Sequence, residues 1–159
     1  RLAKAFDMRV IGLRRDPALG KGDADSVHAT SELKALLPEA DFVVLTCPLT
    51  KETEKLIDGE ALARMKRSAY LINVARGRCV DEAALQEALT AGQIAGAAID
   101  VTVEEPLAPE SPLWRMENVF ITPHTAGETR RYEENVLDIL QDNLDRLWRD
   151  EATLRNQVL

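Results

Sequence analysis

Short apolar runs alternate with polar segments that contain glycine and proline along most of the chain. Each run is nearly all apolar, which is typical of strands buried on both faces of a parallel sheet. Proline closes several of the runs, as expected where a strand gives way to a turn. The pattern predicts five strands: Met8–Leu13, Phe42–Cys47, Ala69–Val74, Ile94–Val101 and Val119–Thr122.

Helical patterns fill the intervals between these strands. The clearest helix follows Asp81, a favourable N-cap, and stops at Gly92, a residue that often ends helices. Alternating strands and helices predict an α/β fold with a doubly wound parallel sheet. The predicted helices are Ser31–Leu37, Asp58–Met65, Glu82–Ala91 and a long amphipathic helix from Gly127 to about Glu151. We therefore expect one domain over residues 1–126 and a long helix with a tail over residues 127–159.

Composition narrows the possible partners. The 159 residues carry a formal net charge of −7, so a nucleic-acid backbone is an unfavourable partner. No apolar run approaches the roughly 20 residues that a membrane helix needs. Cys47 and Cys79 lack the spacing of metal or redox motifs, which favours a reducing, cytoplasmic setting. Residues 1–8 look like the end of a helix without a start signal, and we expect the sequence to begin inside a larger fold.

Three side chains of complementary chemistry each follow a predicted strand. Arg76 lies in NVARGR (73–78), Glu105 in DVTVEEPL (100–107) and His124 in ITPHTAG (121–127). In an open parallel α/β sheet, ligands bind outside the carboxyl ends of the strands. A guanidinium that clamps a carboxylate, an imidazole that moves a proton and a carboxylate that holds the imidazole would suit the reduction of a 2-oxo acid.

Each of these residues also has a structural interpretation. Arg76 could be a surface arginine beside a glycine turn, which is the interpretation we give to Arg78. An isolated histidine is usually a surface or capping residue, but Pro123 and Gly127 around His124 predict a strand-to-helix turn at a site. His28, in a predicted polar loop without a partner motif, keeps the structural interpretation.

The segments LINVARGRCVDEAAL (71–85), AAIDV with EEPL, and TPHTAG occur in an order and spacing that resemble the D-isomer-specific 2-hydroxyacid dehydrogenases. The resemblance runs over almost the whole chain. It implies a Rossmann-type fold and hydride transfer between NAD(P)H and a small 2-oxo or D-2-hydroxy acid. It also implies catalytic roles for Arg76, Glu105 and His124. The family's acid directly precedes the proline, which favours Glu105 over Glu104.

The resemblance further implies the residues that contact the cofactor. Asp100 would accept a hydrogen bond from the nicotinamide carboxamide. Members that use NAD place an aspartate after the second strand, whereas this chain has Arg14 and Arg15, which favours NADP because arginine accommodates a 2′-phosphate. Asp16, two positions late, could bind a ribose only if the loop bends back. The remaining implied contacts are Cys47, Pro48, Val74, Ala75, Arg76, His124 and Gly127, with Cys47 as a wall residue rather than a nucleophile.

The same resemblance implies segments that this sequence lacks. There is no Gly-x-Gly-x-x-Gly turn, so we expect the first Rossmann strand, its phosphate-binding turn and most of a substrate domain to lie outside the chain. Residues 127–159 would return towards that substrate domain, and family members usually form homodimers. We expect the chain alone to be inactive, no metal to be required, and neither nucleic acid nor membrane to be a partner. The alternative is a nucleotide-sensing, corepressor-like binding protein on the same fold.

Overall fold

The computed structural model describes residues 1–157 and has an α/β fold built on parallel strands. Strands β1 and β2 form a two-stranded sheet, and β3, β4, β5 and β6 form a four-stranded sheet in that order. All pairings are parallel, which confirms the predicted fold class. The strands are β1 (Ile11–Arg14), β2 (Ser26–Ala29), β3 (Phe42–Leu45), β4 (Tyr70–Asn73), β5 (Gly96–Ile99) and β6 (Val119–Ile121).

The helices lie close to their predicted positions, and most are shorter. They are α1 (Leu2–Ala5), α2 (Leu33–Leu36), α3 (Gly59–Arg64), α4 (Glu82–Thr90) and α5 (Tyr132–Trp148). The helix predicted over Ser31–Leu37 is α2, which ends at Leu36, and the chain continues through Pro38 as a 3-10 helix, Leu37–Glu39. Proline is tolerated in the first turn of a helix, where its missing N–H has no partner to lose.

Strand β2 was not predicted. Its four residues, SVHA, are too short and too polar to give an apolar run. They form a strand because β1 pairs with them, with Leu13 opposite His28. The prediction of a polar loop around His28 was therefore wrong. The His28 ring contacts Glu32 (Nδ1–Oε2, 3.2 Å) and Ser26 (Nε2–Oγ, 3.1 Å).

The core lies on one face of the four-stranded sheet, beneath α3 and α4. Leu71 on β4, Leu62 on α3 and Leu85 on α4 are almost fully buried there. On the other face Phe42 and Phe120 remain 49% and 68% exposed. Within residues 1–157, therefore, the prediction of cover on both faces holds for one face of this sheet only.

A second compact unit begins at Thr125. It contains α5, which starts later than predicted because residues 125–132 form successive turns, with the Glu128 N–H donating to the Thr125 carbonyl and the Tyr132 N–H to Thr129. The predicted apolar stripe is present and exposed on α5, at Val136, Leu137, Leu140, Leu144 and Leu147. Over residues 1–157, the structure has no helix whose length and apolar character would let it cross a membrane.

Candidate active site

The three predicted catalytic residues follow three neighbouring strands of the four-stranded sheet. Arg76 comes three residues after β4, Glu105 lies in the loop after β5, and His124 comes three residues after β6. Because β4, β5 and β6 are adjacent and parallel, their carboxyl ends share one edge of the sheet. The fold thus places all three loops side by side.

Glu105 and His124 form a direct pair. The Glu105 Oε2 atom lies 2.8 Å from His124 Nδ1. The other carboxylate oxygen of Glu105 accepts a hydrogen bond from the Thr102 backbone N–H at 3.1 Å. The two side chains are about half exposed, 48% for His124 and 40% for Glu105. With Nδ1 engaged by Glu105, Nε2 is the ring atom that can exchange a proton with a ligand.

The backbone of His124 adopts an uncommon conformation that turns the chain at the end of β6. Its φ is +58°, in the left-handed region that non-glycine residues visit at a cost. Its N–H donates to the Asp100 carbonyl at 2.8 Å, and the Thr122 N–H donates to Ile99 at 3.0 Å. The loop after β6 is therefore tied to the end of β5, next to the loop that carries Glu105.

Arg76 lies in a tight loop between β4 and a 3-10 helix, Gly77–Cys79. Its Nη1 donates to the neighbouring Ala75 carbonyl at 2.6 Å, and no carboxylate within the described part of the chain forms an ion pair with it. Arg78, by contrast, pairs with Glu54. The two arginines thus differ in their partners: Arg78 has an ion pair with Glu54, and Arg76 bonds to a backbone carbonyl. The catalytic role of Arg76 stays a prediction.

Gly77 brings the Arg76 loop against the loop that carries Glu105. A Cβ at Gly77 would overlap the backbone of Thr102 and Val103, so only glycine fits this contact. The Val103 N–H in turn donates to Glu82 Oε2 at 3.1 Å. Glycine at this position therefore sets the spacing between the cationic loop and the acidic loop.

The segments predicted to line the cofactor cleft follow β3 and β4, which are neighbours. The Val74 N–H donates to the Leu45 carbonyl at 3.3 Å, which extends the pairing of the two strands to their carboxyl ends. Cys47 is partly buried against the core, and the Pro48 carbonyl accepts from the Thr53 hydroxyl at 2.7 Å. Val74 is 38% exposed and Ala75 is buried.

Cys47 is a partly buried thiol beside Cys79. Burial raises the pKa of its thiol, and the neighbouring Cys79 thiol raises it further. A thiol is nucleophilic only as the thiolate, which a raised pKa disfavours. These properties argue against a nucleophilic role, and the place of Cys47 in the wall of a cofactor cleft stays a prediction.

Asp100 and Gly127 are the two remaining residues predicted to contact the cofactor. Asp100 is buried, at 5% exposure, and its Oδ1 accepts from the Thr122 hydroxyl at 2.5 Å. Gly127 belongs to the unit that begins at Thr125. Its φ is not positive and a Cβ there would meet nothing within 4 Å. Their roles towards a cofactor remain predictions.

The end of β1 carries two exposed cations and an acid that is already engaged. Arg14 donates to the Gly20 carbonyl at 2.8 Å, and Arg15 lies 3.9 Å from Glu52. Asp16 caps the 3-10 helix Pro17–Leu19 by accepting from the Ala18 N–H at 2.9 Å. The Asp16 carboxylate therefore has a structural role, two positions after the place where members that use NAD carry their aspartate.

Sequence reasoning missed the residues that hold these loops in place, namely Asn73, Gly77, Glu82 and Thr102. Gly77 and Glu82 contact the loop after β5, which is distant from them in sequence. Asn73 and Thr102 bond to residues two or three positions away. Hydrophobic periodicity reveals neither kind of contact. The one available signal was the polar Asn73 at the end of an otherwise apolar run. A buried amide at a strand end requires partners nearby.

The chain is similar to known proteins over most of its length. Residues 1–126 match the family model described as D-isomer specific 2-hydroxyacid dehydrogenase, NAD binding domain. The chain is 41% identical over 147 residues to a glyoxylate reductase of Korarchaeum cryptofilum, covering 91% of this chain and 43% of that protein. It is 49% identical over 140 residues to glyoxylate/hydroxypyruvate reductase B of Pectobacterium carotovorum, covering 87% and 43%.

A solved structure agrees with these matches. The NADPH-dependent glyoxylate/hydroxypyruvate reductase of Sinorhizobium meliloti, in complex with NADP and sulfate, superposes with a TM-score of 0.85 at 30% identity. The match covers 99% of this chain and 50% of that one. The chain spans less than half of the length of the curated relatives it matches first.

Proposed function

Because the chain belongs to the D-isomer-specific 2-hydroxyacid dehydrogenase family and carries its NAD-binding domain, we propose that the whole protein is an NAD(P)-dependent oxidoreductase. It transfers a hydride between NAD(P)H and a small 2-oxo acid to give the D-2-hydroxy acid. The proposal rests on the pair of Glu105 and His124, whose Oε2 and Nδ1 atoms lie 2.8 Å apart. These two residues follow β5 and β6, and Arg76 follows the neighbouring strand β4.

In this proposal each residue of the triad has one task. Arg76 binds the substrate carboxylate and the carbonyl oxygen, because a planar guanidinium donates two parallel charge-assisted hydrogen bonds. His124 donates a proton from Nε2 to the oxygen that becomes the hydroxyl, and takes it back in the reverse reaction. Glu105 holds the His124 ring by Nδ1 and stabilises its charged form. The bound reduced nicotinamide supplies the hydride.

The residues at the end of β1 fit NADP(H) better than NAD(H). Two exposed arginines, Arg14 and Arg15, offer a cationic surface that a 2′-phosphate can use. Asp16, the acid that follows them in sequence, accepts a hydrogen bond as a helix cap, and so is poorly placed to bind free ribose hydroxyls. The proposal therefore names NADPH as the preferred reductant.

The substrate class follows from the triad and from the relatives. Arg76 requires a carboxylate next to the reacting carbonyl, and two relatives are named for glyoxylate or hydroxypyruvate. We extend this substrate class to the present protein. The corepressor-like alternative gains no support from these relatives, which are named as reductases.

Three further features belong to the same proposal. Residues 127–159 lead back to a substrate domain, and the protein pairs as a homodimer through its cofactor domains. A cytoplasmic location fits the two free thiols, Cys47 and Cys79.

The test is turnover by the intact protein with a panel of 2-oxo acids, followed at the nicotinamide absorbance. Glyoxylate or hydroxypyruvate should be reduced, and kcat/KM should be higher with NADPH than with NADH. Absence of turnover on every 2-oxo acid would contradict the proposed reaction. A preference for NADH would contradict only the role given to Arg14 and Arg15.

A further inference from the structure

Asn73 is a buried polar residue at the end of β4. Its exposure is 1%, and in residues 1–157 it is joined only by Asp100 among buried polar and charged residues. A buried amide costs free energy unless its donor and acceptor atoms are both paired. The hydrogen-bond partners of the Asn73 amide therefore indicate which segment this residue stabilises.

Both ends of the Asn73 amide are paired with the loop that carries Arg76. The side-chain oxygen accepts from the Ala75 N–H at 3.0 Å, and the side-chain nitrogen donates to the Arg76 carbonyl at 3.1 Å. An asparagine oxygen that accepts from the N–H two residues later closes an Asx-type turn. The second bond extends this bracing to the backbone of the arginine itself.

Asn73 is itself anchored in the sheet. It pairs with Leu45 on β3 and with Ile99 on β5, and its carbonyl accepts from the Asp100 N–H at 2.9 Å. The bracing amide thus projects from an ordered strand in the middle of the sheet. The strand fixes Asn73, and Asn73 fixes the backbone of the loop.

The Arg76 side chain has few other restraints. The hydrogen bond of its guanidinium goes to Ala75, inside the same loop that Asn73 holds. Its direction therefore depends on the backbone conformation of residues 74–76. A small shift of that backbone would move the guanidinium relative to the Glu105–His124 pair.

We propose that Asn73 is a positioning residue, which aims Arg76 at the substrate by bracing the loop through the Ala75 N–H and the Arg76 carbonyl. This inference rests on the proposed function and adds a residue to it. Asn73 does not touch the substrate, so its effect on catalysis passes through Arg76.

The main test variant is Asn73→Asp in the intact protein. It keeps an oxygen for the Ala75 N–H but removes the donor to the Arg76 carbonyl and sets a carboxylate against it. The cavity beside Asn73, Gly77 and Glu82 measures about 10 Å³, at the lower limit for one water molecule, so solvent has little room to replace the lost bond. Misplacement by about 1 Å can cost on the order of 100-fold in rate.

We expect Asn73→Asp to lower kcat/KM for hydroxypyruvate by roughly 10- to 100-fold. The dissociation constant for NADPH should change by less than about threefold, because the retained oxygen still accepts from the Ala75 N–H and the bond that is lost is the one to the Arg76 carbonyl. Asn73→Ser serves as a second variant without the added charge. Its hydroxyl can accept from the Ala75 N–H but is too short to bridge to the Arg76 carbonyl.

A double-mutant cycle separates positioning from a purely structural role. If Asn73 acts through Arg76, Asn73→Asp should change kcat/KM by less than about twofold in an Arg76→Ala background. Asn118→Asp is the matched control. Asn118 also donates to a backbone carbonyl, that of Leu89 at 3.4 Å, and its substitution should leave kcat/KM unchanged in both backgrounds.

Each alternative outcome overturns a different statement. An equal loss in the Arg76 and Arg76→Ala backgrounds, or no loss for either Asn73 variant, would overturn the positioning role while the proposed function stands. If Asn73→Asp does not fold, the Asn73→Ser cycle decides by the same criterion. Failure of the wild-type protein to reduce any 2-oxo acid would overturn the proposed function, and this inference with it.

Discussion

At the scale of single residues, the site depends on which of two adjacent carboxylates faces the imidazole. Glu105 points its carboxylate at His124 Nδ1, whereas Glu104 offers its backbone carbonyl to the Thr102 hydroxyl at 2.6 Å. The sequence allowed both acids, and only the residue before Pro106 lies against the ring. The pair therefore gives a matched experiment within two adjacent positions.

We expect Glu105→Gln to lower kcat for 2-oxo acid reduction by at least about tenfold, because the imidazolium loses the anion that stabilises and orients it. Glu104→Gln is the control and should stay within about twofold of wild type. Steady-state kinetics on hydroxypyruvate compare the two. Equal effects of both substitutions would remove Glu105 from its assigned role.

The chemical types at the strand ends could be predicted from the sequence, and the residues that orient them could not. Arg76, Glu105 and His124 each follow an apolar run that ends in a turn, so their shared sheet edge is a consequence of topology. Gly77 acts through a contact with the loop after β5, which forms only once β4 and β5 have paired, so no local pattern contains it. Asn73 bonds to Ala75 and Arg76 in its own loop, but an asparagine at the end of an apolar run does not by itself specify those partners.

At the scale of elements, the contact between two loops depends on Gly77. We expect Gly77→Ala to destabilise the protein by about 1–3 kcal/mol and to lower kcat/KM, since a methyl group cannot fit against the Thr102–Val103 backbone. Gly59→Ala is the control: its Cβ would meet Ala84 at an ordinary 3.7 Å at the start of α3. In urea unfolding, the free energy of unfolding of Gly59→Ala should equal or slightly exceed that of wild type. If Gly77→Ala were as stable as wild type, the close contact between Gly77 and the Thr102–Val103 backbone would be contradicted.

The N-cap of α3 predicts a dependence of stability on pH. The Ala61 N–H donates to Asp58 at 2.7 Å and, with Lys34 adding, lowers the pKa of the Asp58 carboxyl. A lowered folded-state pKa stabilises the fold above the unfolded value of about 4, and this contribution is lost as pH falls through the folded value.

We therefore expect Asp58→Asn to be less stable than wild type near neutral pH. The difference in free energy of unfolding should shrink between about pH 5 and about pH 3, because asparagine still caps the helix but does not titrate. Urea unfolding at about pH 5 and about pH 3 measures this difference. Glu117→Gln, at an exposed glutamate, serves as the control. A difference that stays constant with pH would show that the Asp58 charge does not matter.

The elements themselves were largely predictable, with errors at their ends. The five predicted strands are present, because each is a compact apolar run. Strand β2 was missed because the polar Ser26 and His28 interrupt any apolar run. Its four residues form a strand by pairing with β1. Helix α5 was predicted too long because the prediction included the polar segment at residues 127–131, which forms turns with local hydrogen bonds instead of a helix.

At the scale of the whole molecule, the fold consists of two parallel sheets, and one face of the larger sheet is apolar and exposed. The three candidate catalytic residues all lie on loops.

The relatives are more than twice as long as the segment matched here. We expect residues 1–159 expressed alone to show no reduction of glyoxylate or hydroxypyruvate, because the chain lacks a glycine-rich phosphate turn. The nicotinamide absorbance assay checks this, and appreciable turnover by the chain alone would contradict it.

The most direct test of the account is the kinetics of Arg76→Ala in the intact protein with hydroxypyruvate and NADPH. If guanidinium, imidazole and carboxylate converge on one 2-oxo acid, kcat/KM for hydroxypyruvate should fall by on the order of 100-fold or more. Unchanged kinetics in this variant would contradict the convergence of the three side chains on one substrate.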